Sequence, residues 1–402
     1  MWMVLIALLG CKDKADDSGA TDDGVSVDCD AIAVDYPSAR SELSGVWDPK
    51  KRRMVMFGGD VGMPVQCIPA PNFVDETWAF YPDCGSFEEV VTGDAPRKRG
   101  RHVSAYDAVG NRMIIHGGRF RAESSGLYTL FDDTWALDLA TDTWSKLSSG
   151  GPGARTNHAG VAGNGTFYVM GGNASEDGGF FQPLDDTWAL DLATGEWTEL
   201  ATKNNPEARL FHAGALSPDG GTLYAYGGGD EGAFLGPFFG DLWALDLASL
   251  KWSRLHNGNG KAPLARIWPN LIALDDRLVL WAGHDDGSLG NTNEVWAFDL
   301  ASASWERQHK GDEQTNDAFG FCDFPADFTE PDTSLPERRN AGVAVATDDG
   351  QMILFGGKTD CGIINDAWSM SLTDYSFTMH VRATAGEICL RAYQECSSMC
   401  AP

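Results

Sequence analysis

Short runs of alternating apolar and polar residues fill most of the chain, and the runs recur. In 131–147, FDDTWALDLATDTWSKL, Trp135, Leu137 and Leu139 alternate with Ala136 and Asp138. That period of two predicts a strand with one apolar face. Ala140, Thr141 and Asp142 predict a turn, and Thr143-Trp144-Ser145 starts a second strand. The stretch returns almost unchanged at 184–200. Its paired aromatics stand nine apart six times: Trp78/Phe87, Trp135/Trp144, Trp188/Trp197, Trp243/Trp252, Trp296/Trp305 and Trp368/Phe377. Upstream of each pair lies an aliphatic run ending in small residues, such as MVMFGG (54–59) and MIIHGG (113–118). Earlier still comes a short apolar run led by an arginine: Arg40, Arg99, Arg155, Arg209, Arg266 and Arg338. Each unit therefore predicts four strands, a to d.

One such unit cannot bury both of its faces. Six of them around an axis would cover one another and leave only short edges. Ten of the 14 tryptophans occupy the two repeat positions, which assigns them to the core. The glycine pairs suit positive φ and close backbone approach at a strand end. The acidic residue ahead of each c-strand tryptophan is expected to bond backbone amides of the turn. Together, the Gly-Gly pair, the spaced tryptophans and the arginine-led strand resemble the Kelch motif over 40–381. The resemblance implies an all-β fold, a six-bladed Kelch-type β-propeller with four antiparallel strands per blade, placed at 37–381. Ala282-Gly283 for Gly-Gly, and Phe87 and Phe377 for tryptophan, depart from the pattern.

The flanks read differently. Residues 1–11 form an apolar run too short to span a bilayer as a permanent helix. Its Leu8-Leu9-Gly10-Cys11 ending resembles a bacterial lipobox, which implies cleavage before Cys11 and lipid on its sulfur. Residues 12–36 are acidic and polar, as a disordered tether is, and 382–402 are a cysteine-bearing tail. Localisation in the cell envelope, lipid-anchored, follows. With Cys11 set aside, eight of the nine cysteines remain for disulfides. On a propeller the d–a and b–c connections share a face, which pairs Cys322 with Cys361. Cys29 is expected to join a tail cysteine.

A formal charge of −28 argues against nucleic acid and anionic lipid surfaces as partners. No metal-ligand spacing, phosphate loop or catalytic triad stands out, so no cofactor and no metal are expected. Two groups on the loop face remain as candidate chemistry. Arg99, Arg155, Arg209 and Arg266, with His102, His158 and His212 three residues after the first three, would surround the axial mouth, either as a cationic pocket for carboxylates or as framework. Phe181 and Phe234, with Phe180 and other loop aromatics, would form a recognition surface or pack among themselves. The resulting expectation is a monomeric, non-enzymatic module that binds a protein or glycan through its loop face. An exported sugar isomerase or mutarotase, similar to a sialic-acid epimerase of the same fold, is the alternative, and a scaffold without ligand is a third.

Overall fold

The computed structural model describes residues 26–32, 35–62, 70–123, 125–285, 290–314, 329–330, 332, 334–359 and 362–384. Cys11, Cys322 and Cys361 lie outside them, as do the other tail cysteines. Six four-stranded antiparallel sheets account for the described strands of the repeat, each ordered a-b-c-d. The first is built from Ser44–Asp48, Arg53–Phe57, Thr77–Tyr81 and Ser86–Glu89. Pairing follows the period-two reading: Trp135 lies opposite Lys146, and Trp144 opposite Leu137. The result is a Kelch-type β-propeller.

The a-strands meet one another in chain order. Ser44–Asp48 touches Val103–Asp107, and so on to Val343–Ala346, which returns to Ser44–Asp48. An apolar cluster fills the space between each pair of successive sheets. The cluster joining the last sheet to the first contains Trp47, Trp78 and Phe87 with Ile353, Phe355 and Val381. Burial of this apolar surface is the main force holding neighbouring sheets together.

The glycine pairs are where each sheet locks to the next. The second glycine, at positive φ, donates its N–H to the carbonyl of the next sheet's arginine. Gly59 bonds Arg99 (2.9 Å), Gly118 bonds Arg155 (2.9 Å) and Gly357 bonds Arg40 (2.8 Å). A Cβ on Gly58 would stand 2.7 Å from the Arg99 carbonyl oxygen, a close approach that favours glycine, although the fifth sheet places Ala282 there at φ 62°.

The segment expected to be free tether is fixed at its end. Cys29 is bonded to Cys84 in the c–d turn of the first sheet, and Val27 and Ile32 pack beside it. Asp35 pairs with Phe87 at that sheet's outer edge. This corrects the expected link from Cys29 to a tail cysteine, because Cys84 is its partner. Closing a loop across a sequence separation of 55 should stabilise the fold by about 4 kcal/mol on the chain-entropy estimate. Cys84→Ser should therefore lower the urea midpoint measurably without abolishing folding, and an unchanged midpoint would contradict the clamp.

Candidate functional site

The leading arginine of each a-strand turns out to be framework. Arg99 donates through Nη1 and Nη2 to Asp133 (2.7 and 3.1 Å) and through Nη1 to the Gly117 carbonyl (2.9 Å). The carboxylate also accepts from Trp135 Nε1 at 2.8 Å. The same arginine–carboxylate–tryptophan set recurs as Arg155–Asp186–Trp188, Arg209–Asp241–Trp243 and Arg266–Glu294–Trp296. It recurs again as Arg40–Glu76–Trp78 and Arg339–Asp366–Trp368. All six arginines are buried. Burial alone would raise the Asp133 and Asp241 carboxyls, but the arginine and tryptophan hydrogen bonds outweigh it and hold both below the usual range.

Of the two readings left open for Arg99, Arg155, Arg209 and Arg266, the geometry fits framework, their charge being taken up inside the sheets by the paired carboxylates. Two other expectations are corrected. The repeated acid bonds side chains rather than turn amides. The sixth repeat arginine is Arg339; Arg338 instead pairs with Asp312 at 2.9 Å.

The mouth is built by the residue two positions after each arginine: Glu42, Arg101, Asn157, Phe211, Trp268 and Ala341. All six have positive φ, between 50° and 61°. Five are linked by backbone hydrogen bonds from N–H to the preceding sheet's carbonyl: Glu42 to Ala341, Arg101 to Glu42, Asn157 to Arg101, Phe211 to Asn157 and Trp268 to Phe211. This left-handed turn is costly for bulky residues, so the close packing around the axis must hold it. The ring surrounds an axial cavity of about 120 Å³, also lined by Leu43, His102, His158, His212, Pro269 and Gly342.

His102, His158 and His212 thus come together at the cavity, where the sequence put them. Burial first, and nearby Arg99 and Arg209 second, push His102 and His212 down to about 3; burial first, then the neighbouring His116 and Arg155, carry His158 well below its ordinary value. All three are neutral at physiological pH. At the rim, Arg101 reaches Glu42 at 2.6 Å, and Arg119 reaches it at 3.0 Å. Burial raises the Glu42 carboxyl, yet these two cations outweigh it and keep it ionised. Burial and the Glu42 charge push nearby Asp60 up to about 6.

The loop aromatics divide into two sets. Phe181 and Phe234 pack with Phe211 and Trp268, at centroid distances of 6.0 Å (Phe181–Phe211) and 5.5 Å (Phe234–Trp268). They are a foundation, the packing that was one of the two readings the sequence left open for them. Their chain neighbours point outward: Phe180 is 75 % exposed and Leu235 93 %. Sequence reasoning missed Leu235 and the whole ring at the second position after arginine. The available signal was a fixed place in the repeat whose residue changes in every unit.

Comparison with known proteins supplies the family. The model for the KLHDC2/KLHL20/DRC7 Kelch-repeats domain matches residues 28–209 and 201–322. Kelch domain-containing protein 2 of Bos taurus is 28% identical over 222 residues, 50% of this chain and 50% of that protein. Acyl-CoA-binding domain-containing protein 4 of Arabidopsis thaliana is 30% identical over 248 residues, 60% of this chain and 33% of that protein. The chain thus spans half or less of these curated relatives. The solved structure of YjhT superposes with a TM-score of 0.63 at 15% identity, covering 86% of this chain and 98% of the other, a likeness of fold alone.

Proposed function

The chain belongs to the Kelch-repeat family, and on that premise we propose that it is a six-bladed propeller serving as a protein-binding module through its loop face. Six sheets, six inter-sheet clusters and the bonds from Gly357 to Arg40 and from Glu42 to Ala341 support a ring closed at six. One observation carries the binding reading. Phe180 and Leu235, on the b–c connections of the third and fourth sheets, present apolar side chains to solvent above a packed aromatic bed. Exposed aromatic and aliphatic groups on a rigid base are the usual anchors of a protein interface. A glycan ligand has less support, because the cationic mouth on which it drew is absent.

The remaining parts of the reading rest on sequence. The apolar run at 1–11 ending in Leu-Gly-Cys supports a lipid anchor at Cys11, and the cysteine content supports an exported, envelope location. The domain limits 37–381 and 382–402 follow the repeat. The isomerase alternative is disfavoured, because the arginines it needs are paired with carboxylates.

The test is affinity capture from a cross-linked envelope fraction with wild type and with Phe180→Ser/Leu235→Ser. The expected result is a defined partner retained by wild type, lost by the double variant at unchanged Tm. Equal capture by both proteins would overturn the site.

A further inference from the structure

We infer that the surface at Phe180 and Leu235 extends to Leu127 and takes a cationic partner, a segment of another protein that carries apolar side chains among lysines and arginines. This rests on the loop-face reading above and adds to it the chemistry of what is bound.

Three exposed apolar side chains stand on one shared base. Leu127, Phe180 and Leu235 are 65, 75 and 93 % exposed. They lie on the connections between strands b and c of the second, third and fourth sheets. Each is the chain neighbour of an aromatic that packs beneath it: Tyr128, Phe181 and Phe234. The connections also touch one another. The Tyr128 N–H donates to the Glu176 carbonyl at 2.9 Å, which joins the second to the third. The rings of Phe181 and Phe234 meet at 5.8 Å, which joins the third to the fourth. The packed aromatics thus fix a continuous base across three sheets and leave their neighbours facing water. An apolar patch held out on such a base and rimmed by polar groups marks a partner's seat.

The charge of the rim selects the partner. Among the described residues of these three connections, every exposed charged side chain is a carboxylate: Glu123, Asp132, Glu176, Asp177 and Glu231. Their two arginines are engaged within the chain. Arg119 is buried against Glu42 at 3.0 Å. Arg121 is half-buried, with its guanidinium 4.2 Å from the Tyr128 ring and bonded to the Gly126 carbonyl at 3.1 Å. The exposed cation Arg97 sits on Phe120 at 4.3 Å, at the junction with the first sheet, where Phe120 meets Phe73 at 6.1 Å. An acidic rim draws in and orients a cationic partner and repels an anionic one. A second copy of this chain, with its formal charge of −28, is disfavoured on that ground, and so is an anionic membrane. A purely basic segment would leave Leu127, Phe180 and Leu235 uncovered, so the partner must bring apolar side chains as well.

The test uses the full chain and four short fluorescent peptides. Three carry leucines and a phenylalanine set among lysines, among glutamines or among glutamates; the fourth has serines among lysines. Anisotropy titration should show the apolar lysine peptide binding wild type about tenfold or more tightly than each of the others, the equivalent of ~1.4 kcal/mol. Leu127→Ser/Phe180→Ser/Leu235→Ser should erase its advantage over the serine peptide. Glu123→Gln/Glu176→Gln/Asp177→Asn/Glu231→Gln should erase its advantage over the glutamine peptide. The asparagine keeps the oxygen that accepts from the Gly179 N–H at 2.7 Å. All seven side chains are exposed, so both variants should keep the wild-type Tm. The inference is overturned if the glutamine peptide binds wild type as well as the lysine one, or if none of the four binds. Survival of apolar lysine binding in the triple serine variant would also overturn it, by placing the peptide elsewhere on an acidic chain. Equal envelope capture by wild type and Phe180→Ser/Leu235→Ser would instead overturn the reading on which it rests.

Discussion

Stability is expected to fall steeply as the pH drops below about 6.5, before the carboxylates that hold the sheets together are protonated. The cause lies in four buried histidines. Burial pushes His102, His116 and His212 down to about 3, and His158 well below its ordinary value. They face Arg99, Arg155, Arg209, Asp133 and Asp241, and the cations outweigh the anions only as a secondary effect. A folded value below the unfolded one means that the unfolded chain binds protons first. Stability is therefore fully present above the unfolded value of about 6.5 and declines through the interval down to about 3. At ~1.36 kcal/mol per pH unit, His102, His116 and His212 each lose roughly 2 kcal/mol by about pH 5, and His158 shifts stability in the same direction. The combined loss is a sizeable share of the roughly 5–15 kcal/mol that holds an ordinary domain. Below the ordinary carboxylate range a second loss follows, as Asp133 and Asp241 take up protons through their lowered values. Urea unfolding at stepped pH should show the first decline, and His102→Leu/His212→Leu should flatten it. A curve level from neutrality to about pH 5 would contradict the buried neutral rings.

The second large effect is expected at the framework arginines. Arg209 is buried, bonded in two places to Asp241 (2.8 and 3.2 Å), to the Gly227 carbonyl at 3.0 Å and to the Glu207 carbonyl at 3.1 Å. Its guanidinium also lies 4.6 Å from the Phe239 ring centroid. Removing one partner of a buried pair leaves the other without compensation, which costs about 3–5 kcal/mol. Arg209→Ala should fall in that range in urea unfolding. Arg97→Ala, at an exposed cation stacked on Phe120 at 4.3 Å, should stay within about 0.5 kcal/mol plus a small stacking contribution. A further consequence concerns binding studies. Changing Arg155 and Arg209 to alanine would unfold the ring rather than report on ligand, so the loop residues are the correct targets. Near-wild-type stability for Arg209→Ala would return the arginines to the list of candidate ligand contacts.

The strands and their order were legible because alternation and the nine-residue tryptophan spacing are both local signals. The arginine–carboxylate–tryptophan set was half legible. Its sixfold recurrence marked it as architecture, but its partners lie 27 to 36 residues apart, as with Arg339–Asp366 and Arg40–Glu76. Arg338 and Arg339 are adjacent in the chain, and the interval to the glycine pair is 18 residues for Arg99–Gly117 but 17 for Arg339–Gly356. The sixth unit is one residue shorter there, and Arg339 bonds the Gly356 carbonyl at 3.1 Å. The ring at the mouth escaped notice for the opposite reason. Glu42, Arg101, Asn157, Phe211, Trp268 and Ala341 share a backbone shape and no side-chain chemistry, so a search for repeats passes over them. Histidine positions were found, but their neutrality depends on burial, which only packing reveals. The Cys29–Cys84 pair was beyond reach, since eight cysteines allow 105 pairings.

Residue-resolved hydrogen exchange tests the closed ring most directly. In every sheet the second glycine's amide is bonded to the next sheet's arginine carbonyl, and Gly357 to Arg40 is the one such bond that joins the last sheet to the first. The amides of Gly357 and Glu42 should be protected to the same degree as those of Gly118, Gly228 and Phe211, opening only with global unfolding. Rapid exchange at Gly357 and Glu42 alone, with the other junctions protected, would mean that the circle is open and that no axial cavity is enclosed.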